Sequence, residues 1–348
     1  MKNKSILIIG PLPEPKGGVS IHMQRLSKLM EESYSVPRID ESPIIKKNIF
    51  NIRSLNIFRY LKLIYQSDIV HVQSSIDILR IFHITLAKIF GKKVILTIHS
   101  WRNKSNKQKK LLMLCLNCVD KVIVVNKNIA VELKLKNYIV KPAFLPPDSD
   151  ELNDIPKDLK DIVKLKKEKG FFIVSSNAYQ LADHNGEDLY GLDMFIDLAE
   201  CSRDKKIFFI FQLASLGGID FQEKYKKYVK LIADQKIENI LLYVKPISFV
   251  ALINGSDMTL RLTNTDGDAL SIRESLYLNT PIIASDVTER PEGTILFKSR
   301  DSDDLKQVFN QTYEDINSGI VNCSEETQDY RQSYVDFYNK IYFEQEKE

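Results

Sequence analysis

Short apolar runs alternate with helical segments along nearly the whole chain. Segments of helical composition lie near 20–30, 54–65, 76–90, 106–118 and 128–136. Strand-like runs separate them at 5–9, 68–72, 93–98 and 121–125. This alternation predicts a parallel sheet with helices on both faces, which is an α/β fold.

The alternation restarts after a change in composition between 141 and 159. That segment, KPAFLPPDSDELNDIPKDL, carries four prolines and a run of acids, as interdomain linkers do. Further strand candidates follow at 171–175, 207–211, 240–244, 258–262 and 282–284. We therefore expect two doubly wound, Rossmann-like domains at 1–147 and 169–325, a linker at 148–168, and a terminal helix within 326–348. That helix carries an aromatic stripe, which predicts packing.

The composition is that of a globular protein rather than a disordered one, with 44% hydrophobic and 27% charged residues. No apolar run reaches the roughly 20 residues of a membrane span. The amino-terminal run after MKNK is too short for a signal peptide, so we expect a cytoplasmic protein. The histidines have no metal-site spacing, and Cys115 and Cys118 lie in an apolar helical segment, which favours packing. We predict neither a metal nor a cofactor.

The charge is unevenly distributed. Residues 1–150 contain 25 Lys and Arg against 11 Asp and Glu, a net +14, whereas the remainder has a net charge of −11. Two basic stretches, 46–65 and 103–110, mix cations with apolar or polar residues. They are either solvated helix faces with snorkelling lysines or a patch that rests on an anionic membrane leaflet. No recognisable nucleic-acid module accompanies them.

The loop after the first strand, GPLPEPKGGVS, contains Gly17 and Gly18. A strand, a glycine-containing loop and a helix in succession can present backbone N–H groups to a phosphate. The loop matches neither the dinucleotide-binding fingerprint nor the P-loop, so the signal is weak when taken alone.

A second candidate site lies at 261–286, RLTNTDGDALSIRESLYLNTPIIASD. Asp266 opens a turn before a helical segment, and the amino end of such a helix attracts phosphate. Glu274 lies about one turn further along, where it can accept hydrogen bonds from ligand hydroxyls. The alternative is an ordinary acidic helix start in which Asp266 or Asp268 is only a cap.

The spacing of this segment, an acid, seven residues and a glutamate before Ala-Ser-Asp, resembles the E-x7-E region of GT-B glycosyltransferases. The resemblance is to retaining enzymes of the family-4 kind. Their usual Glu-Gly-Phe-Gly is replaced here by Asp266-Gly267-Asp268-Ala269. The resemblance implies two Rossmann-like domains facing a cleft, with the terminal helix packed back on the first domain.

The resemblance also implies roles for individual residues. Gly17 and Gly18 match a glycine pair that approaches the donor diphosphate, and His99, at a strand end, matches a histidine that lines the donor-sugar pocket. His71, by contrast, is interpreted as structural. Glu274 binds the ribose hydroxyls, while Asp266 and His99 position the sugar. The remaining donor-binding candidates are Asn177, Arg261 and the backbone amides of Asp268, Ala269, Leu270 and Ser271.

One departure concerns the charge that balances the donor diphosphate. Related enzymes have an Arg and a Lys after the first strand of the second domain, where this chain has Asn177, Tyr179 and Tyr190. Unpaired phosphates in a partly dry cleft are costly, so another cation is required. Arg261 is the first candidate, followed by Arg273 and Lys245.

The expected function is transfer of a sugar from a nucleotide-diphosphate donor, a UDP-sugar in preference to a GDP-sugar, with retention of configuration. The expected acceptor is a polymeric or polyprenyl-diphosphate-linked saccharide in cell-surface polysaccharide biosynthesis, at the inner face of the membrane. Two alternatives stay open: a nucleotide-sugar 2-epimerase of the same architecture, and a non-catalytic nucleotide-sugar-binding partner.

Overall fold

The computed structural model of the protein describes residues 4–99, 106–320 and 329–345. The chain divides into two compact units, Met1–Leu145 with Asp329–Glu348, and Pro146–Gln328. Each unit contains a parallel sheet covered by helices. The expected α/β class with two Rossmann-like domains is therefore confirmed.

The first unit is built on a parallel sheet with strand order β3-β2-β1-β4-β5-β6-β7 in the described residues. Its strands are β1 (Ile6–Gly10), β2 (Arg38–Asp40), β3 (Phe50–Asn51), β4 (Ile69–Val72), β5 (Lys93–Ile98), β6 (Lys121–Val124) and β7 (Ile139–Val140). The chain moves outward from β1 to β3 and then returns to the other side of β1. The order thus reverses between β1 and β4, and ligands of such sheets gather beyond the carboxyl ends of the strands at this point.

Apolar side chains alternate between the two faces of this sheet, as the period of a strand requires. In β1, Leu7 and Ile9 lie in one core, and Ile6 and Ile8 lie in the core on the other face. The first core is covered by α2, α3, α4 and α5, and the second by α1. These helices are α1 (Gly18–Glu31), α2 (Ile57–Gln66), α3 (Asp77–Ile89), α4 (Asn106–Leu116) and α5 (Lys127–Glu132).

The second unit has a parallel sheet of order β12-β11-β8-β13-β14-β15 and a small antiparallel hairpin, β9-β10, within the described residues. The strands are β8 (Phe172–Ala178), β9 (Asp183–His184), β10 (Glu187–Asp188), β11 (Ile207–Leu213), β12 (Ile240–Val244), β13 (Met258–Arg261), β14 (Ile282–Ser285) and β15 (Ile295–Phe297). The order reverses between β8 and β13, which places a second switch point at the carboxyl ends of those two strands.

Helices cover both faces of this sheet as well. Val174 of β8 packs in a core with α8 and α12, whereas its neighbour Ile173 packs with α7 and α10. A smaller apolar cluster joins α11 to β14. The helices are α6 (Ser149–Asn153), α7 (Lys157–Glu168), α8 (Leu192–Cys201), α9 (Ile219–Asp234), α10 (Phe249–Ile253), α11 (Leu270–Tyr277) and α12 (Ser302–Asn317).

Residues 148–168, expected as a linker, contain the two helices α6 and α7. Leu159 and Val163 of α7 are buried in the same core as Ile173 and Phe208. Two buried side chains four residues apart form the inner stripe of an amphipathic helix. The segment therefore belongs to the second unit, which begins at Pro146.

The C-terminal helix, α13 (Arg331–Gln345), belongs to the first unit. Its aromatic stripe, including Tyr334, Tyr338 and Tyr342, is buried in the core that also holds Ile6 and Ile8. The Tyr342 hydroxyl donates to the carbonyl oxygen of Ser5 at 2.9 Å. This packing explains why a helix at the end of the chain completes the domain formed by its beginning.

Three other sequence predictions have different outcomes. Cys115 is half-buried against the first core, but Cys118 is exposed, so packing explains only the first of them. The basic stretch 103–110 lies outside the described side chains, except for Lys110, which is exposed. Within the described ranges, no helix combines the length and apolarity needed to cross a membrane.

Candidate active site at the carboxyl ends of the sheets

The turn that follows β13 is organised by the carboxylate of Asp266. Arg261, the last residue of the strand, donates from Nε to Oδ2 at 3.0 Å and from Nη2 to Oδ1 at 3.2 Å. The Gly267 amide donates to Oδ1 at 3.0 Å, and the Thr263 hydroxyl donates to Oδ2 at 3.2 Å. The short side chain of Asp266 is therefore held against its own turn.

A second arginine reaches the same carboxylate from the loop after β14. Arg290 Nη1 lies 3.0 Å from Asp266 Oδ2, and the Arg290 side chain is only 2% exposed. Its Nε donates to the carbonyl oxygen of Ser285 at 3.0 Å. Ser285 ends β14, which pairs with β13, so the register of these two strands brings Arg290 beside Arg261.

We define the Asp266 cluster as Arg261, Asp266 and Arg290; Asp266 stabilises the charge of both arginines, whereas burial and the charge of Arg261 lower the pKa of Arg290. Burial by itself raises the pKa of Asp266, but the two guanidinium groups outweigh it and lower that pKa to about 2. Burial also lowers the pKa of Arg261, yet the charge of Asp266 outweighs burial and raises it. Because arginine stays protonated in proteins, two cations surround one anion and the cluster carries a net positive charge.

The start of α11 lies directly after this turn. Asp268 accepts a hydrogen bond from Arg273 Nε at 2.7 Å, and both side chains are largely buried. The N-cap position of α11 is Ala269, whose side chain makes no capping hydrogen bond. Glu274, on the second turn of the helix, is 5% exposed. Arg273 thus braces the helix start through Asp268.

The other predicted donor-side residues lie in different places. Lys245 pairs with Asp158 of α7 at 2.5 Å and is half-exposed, so it does not join the cluster. Asn177 is half-buried at the carboxyl end of β8, next to the switch point. The ring of Tyr190 lies 5.5 Å from the guanidinium carbon of Arg261, which places it against the cluster.

In the first unit, Gly17 and Gly18 form the exposed start of α1. The Gly17 amide donates to the Ser20 hydroxyl at 2.9 Å, which fixes the first turn of the helix. A Cβ atom added to either glycine meets nothing within 4 Å. Packing and backbone strain therefore do not require glycine at these two positions.

His99 follows β5 at the same edge of the first sheet. Its Nε2 lies 2.8 Å from Oε1 of Gln73, which follows β4, and its ring makes an edge contact with His22 of α1 at 5.2 Å between centroids. A carbonyl acceptor at Nε2 favours the tautomer with the proton on Nε2 and a lone pair on Nδ1. Nδ1 can then accept a hydrogen bond from a ligand hydroxyl.

Burial keeps this group of histidines neutral. It lowers the pKa of His99 well below its ordinary value, and the neighbouring His22 and His71 lower it further. Burial also lowers the pKa of His22 to about 4 and that of His71 to about 3. His71 is bonded to the Tyr338 hydroxyl and to Thr97 Oγ1, so its position is structural, as the sequence predicts.

Sequence reasoning missed three residues of these sites: Arg290, Thr263 and Gln73. Arg290 is separated from Asp266 by a helix and a strand. The one sequence feature that could have indicated its role is its position shortly after a predicted strand. The structure brings Arg261, Asp266 and the start of α11 together in one unit. In the other unit it brings His99 to α1, the helix that begins at Gly18.

Neither a protein-family model nor a curated protein sequence matches this chain. Solved structures do match it over nearly its whole length. HepE from Anabaena, in complex with UDP-glucose, superposes with a TM-score of 0.70 at 13% identity, over 99% of this chain and 100% of that one. The chain has the GT-B fold. Identities this low show the shared fold and no more.

Two other GT-B structures show the same likeness. A glycosyltransferase from Rickettsia africae has a TM-score of 0.69 and 17% identity over 97% of this chain and 94% of its own. Sucrose-phosphate synthase from Thermosynechococcus elongatus has a TM-score of 0.67 and 12% identity, with 98% of each chain covered. In the part of the chain that the structure describes, no group of three His, Cys, Asp or Glu side chains is placed to hold a metal ion.

Proposed function

We propose that this protein is a nucleotide-sugar-dependent glycosyltransferase that uses a UDP-sugar and retains the anomeric configuration. The observation that carries the proposal is the pair of arginines on Asp266 at the β8/β13 switch point. The cluster supplies a net positive charge where a GT-B donor domain needs to hold a diphosphate. The presence of UDP-glucose in the HepE structure supports UDP as the nucleotide.

The geometry favours a positioning role for Asp266 over the direct sugar contact that the sequence predicts. A carboxylate has about four lone-pair sites, and groups of Arg261, Thr263, Gly267 and Arg290 already donate to them. Asp266 then holds both guanidinium groups at fixed positions, so they need little rearrangement when a diphosphate binds. Within the second unit, the backbone amides at the start of α11 are then left to bind the donor.

In the proposed reaction, the bond between the anomeric carbon and the diphosphate oxygen breaks. The acceptor hydroxyl oxygen bonds to the same carbon from the same face, and its proton passes to the departing diphosphate. Arg261 and Arg290 stabilise the negative charge that develops on the leaving group. Glu274 accepts hydrogen bonds from the ribose hydroxyls. A polymeric or lipid-linked saccharide of a cell-surface polysaccharide is the acceptor class that we propose.

A thermal-shift panel of UDP, GDP, ADP, CMP and UDP-sugars tests the donor site. A ligand at 100 times its dissociation constant adds about 2.7 kcal/mol of stability. We expect UDP and UDP-sugars to stabilise the wild type and to lose this effect in Glu274→Gln, while Glu223→Gln on α9, far along the chain from the site, keeps it. No stabilisation of the wild type by any nucleotide contradicts the proposal.

Measuring UDP release separates the three functions that the sequence leaves open. A glycosyltransferase releases UDP at a rate that depends on the acceptor. A 2-epimerase changes the sugar without any acceptor, and a non-catalytic binding protein is stabilised by the donor but does not turn it over. Acceptor-dependent release is the result we expect.

A further inference from the structure

Helix α3 has an apolar stripe on the side that faces away from the core. Its inner side buries His83, Ile84 and Ala87 against the sheet. On the outer side, Ile78 is 76% exposed and Ile89 is 72% exposed, with Phe82 between them at 39%. These positions follow the helical repeat, so they lie along one face of α3. The outer face is therefore apolar where a surface helix is normally polar.

Helix α2 presents a similar outer face mixed with positive charge. Tyr60 and Ile64 are its buried residues. Phe58 is 84% exposed, and Leu55, just before the helix, is 86% exposed. Lys62, one turn after Phe58, is exposed as well. Large apolar side chains with this much exposure, grouped rather than scattered, mark an interaction surface.

A chain of side-chain contacts joins the two helices. The rings of Tyr60 and Phe82 stack with centroids 5.5 Å apart. The Tyr60 hydroxyl lies 2.7 Å from His83 Nδ1, and His83 Nε2 lies 2.8 Å from Glu41 Oε1. We define the α2–α3 face by its six exposed residues, Leu55, Phe58, Lys62, Ile78, Phe82 and Ile89.

The charge on the α2 side of this face is positive. Residues 43–66 contain five Lys or Arg and no Asp or Glu. Lys46 is bound to Asp40 at 2.6 Å, whereas Lys47, Arg53 and Arg59 are exposed near the apolar side chains. Apolar side chains next to cations match a bilayer surface that has anionic headgroups over hydrocarbon.

We propose that the α2–α3 face docks the first unit on an anionic lipid bilayer. Phe58, Leu55 and Ile78 would enter the headgroup boundary, and Lys62 with its basic neighbours would bind the lipid phosphates. A second copy of this chain fits the face less well, since it would bring the same cations against each other. Docking extends the proposed function by holding the enzyme next to a lipid-linked acceptor, but its test requires no catalysis.

The test is co-sedimentation of the full-length protein with phosphatidylcholine vesicles, with and without phosphatidylglycerol. We expect binding only to the anionic vesicles, and a loss of at least about tenfold in Phe58→Ser/Ile78→Ser and in Lys62→Glu. The matched controls are Ile219→Ser, which is also 76% exposed, and Lys226→Glu, both on α9 of the second unit. They should bind vesicles as the wild type does.

Equal binding by the wild type and the α2–α3 variants overturns the proposal. The proposal is also overturned if the wild type does not bind anionic vesicles but forms a dimer, and Phe58→Ser/Ile78→Ser dissociates that dimer. The face is then a contact between copies of the chain. Stabilisation by UDP in each variant shows that the second unit is folded. If the wild type binds UDP but not anionic vesicles, only the docking proposal is contradicted. If it binds anionic vesicles but no nucleotide, only the proposed function is contradicted.

Discussion

Arg290 Nη1 donates to Asp266 Oδ2 at 3.0 Å, although the two residues come from different loops of the second sheet. Arg261 binds both oxygens of the same carboxylate. An arginine pair around one acid is a preorganised anion site, because the acid fixes both side chains while leaving a surplus of positive charge. In the proposed function, this pair replaces the Arg and Lys that the resemblance led us to look for near Asn177.

Replacing Arg290 should weaken donor binding. Arg290→Gln removes one of the two cations of the cluster, so we expect the Kd for UDP to rise by about 10- to 100-fold, or roughly 1.5–3 kcal/mol. Titration calorimetry with UDP measures the change. Lys245→Gln is the control, since Lys245 is bound to Asp158 away from the cluster. Equal losses in both variants contradict a specific role for Arg290.

Asp266 should contribute a pH-dependent part of the stability. Its pKa is lowered to about 2 in the folded protein, so its stabilising effect is complete above its ordinary value of 3.8 and is lost as the pH falls toward 2. That difference corresponds to about 2 kcal/mol. Asp266→Asn should be less stable at neutral pH, because two buried guanidinium groups lose their counter-charge.

The gap in unfolding free energy between the wild type and Asp266→Asn should therefore narrow between pH 4 and 2. Urea unfolding followed by circular dichroism over this range measures it. A gap that stays constant with pH means that Asp266 is not the titrating partner of the arginines.

The glycine at position 18 should affect donor binding but not the stability of the fold. An added Cβ meets nothing there, so Gly18→Ala should leave stability unchanged or raise it by up to about 1 kcal/mol. If the diphosphate approaches this backbone, the same methyl group should raise the KM for the donor. Gly191→Ala is the contrast, because its φ is +68° and its Cβ would lie 2.5 Å from Leu262 Cβ, which predicts clear destabilisation.

The sequence predicts the buried strands well and the polar contacts poorly. The run at Lys93–Ile98 is a strand over the predicted residues, because continuous apolar runs are typical of buried parallel strands. Ile240–Val244, at the edge of the second sheet, is also a strand over the predicted residues, although only Tyr243 is buried there. Phe50–Asn51 and Ile139–Val140 were missed, since two residues are too few to show a period. Helix Ile219–Asp234 was missed because none of its residues is fully buried.

The candidate site also has a part that the sequence predicts and a part that it does not. The local part, from Asp266 to Glu274, follows from a spacing within one segment. The contact of Asp266 with Arg290 depends on the pairing of β13 with β14, a relation that no spacing in the sequence expresses. The same holds for His99, whose contacts with Gln73 and His22 come from elements that are far apart in the chain.

The buried histidines should make the first unit sensitive to mild acid. The pKa values of His22, His71 and His99 are all lowered in the folded protein, so their contribution is complete above the ordinary value of 6.5 and is lost below it. The unfolded chain takes up protons there and the folded protein does not. Each histidine that stays neutral therefore removes roughly 1.4 kcal/mol of stability per pH unit below 6.5, until its folded pKa is reached.

Urea unfolding at pH 7, 6 and 5, followed by circular dichroism, measures this slope. His71→Gln should reduce the slope by the contribution of one proton, whatever its effect on stability at pH 7. His184→Gln is the control, since His184 is exposed in the second unit. A slope that is the same in wild type and His71→Gln contradicts the assignment, because a buried neutral imidazole must be protonated on unfolding below its ordinary pKa.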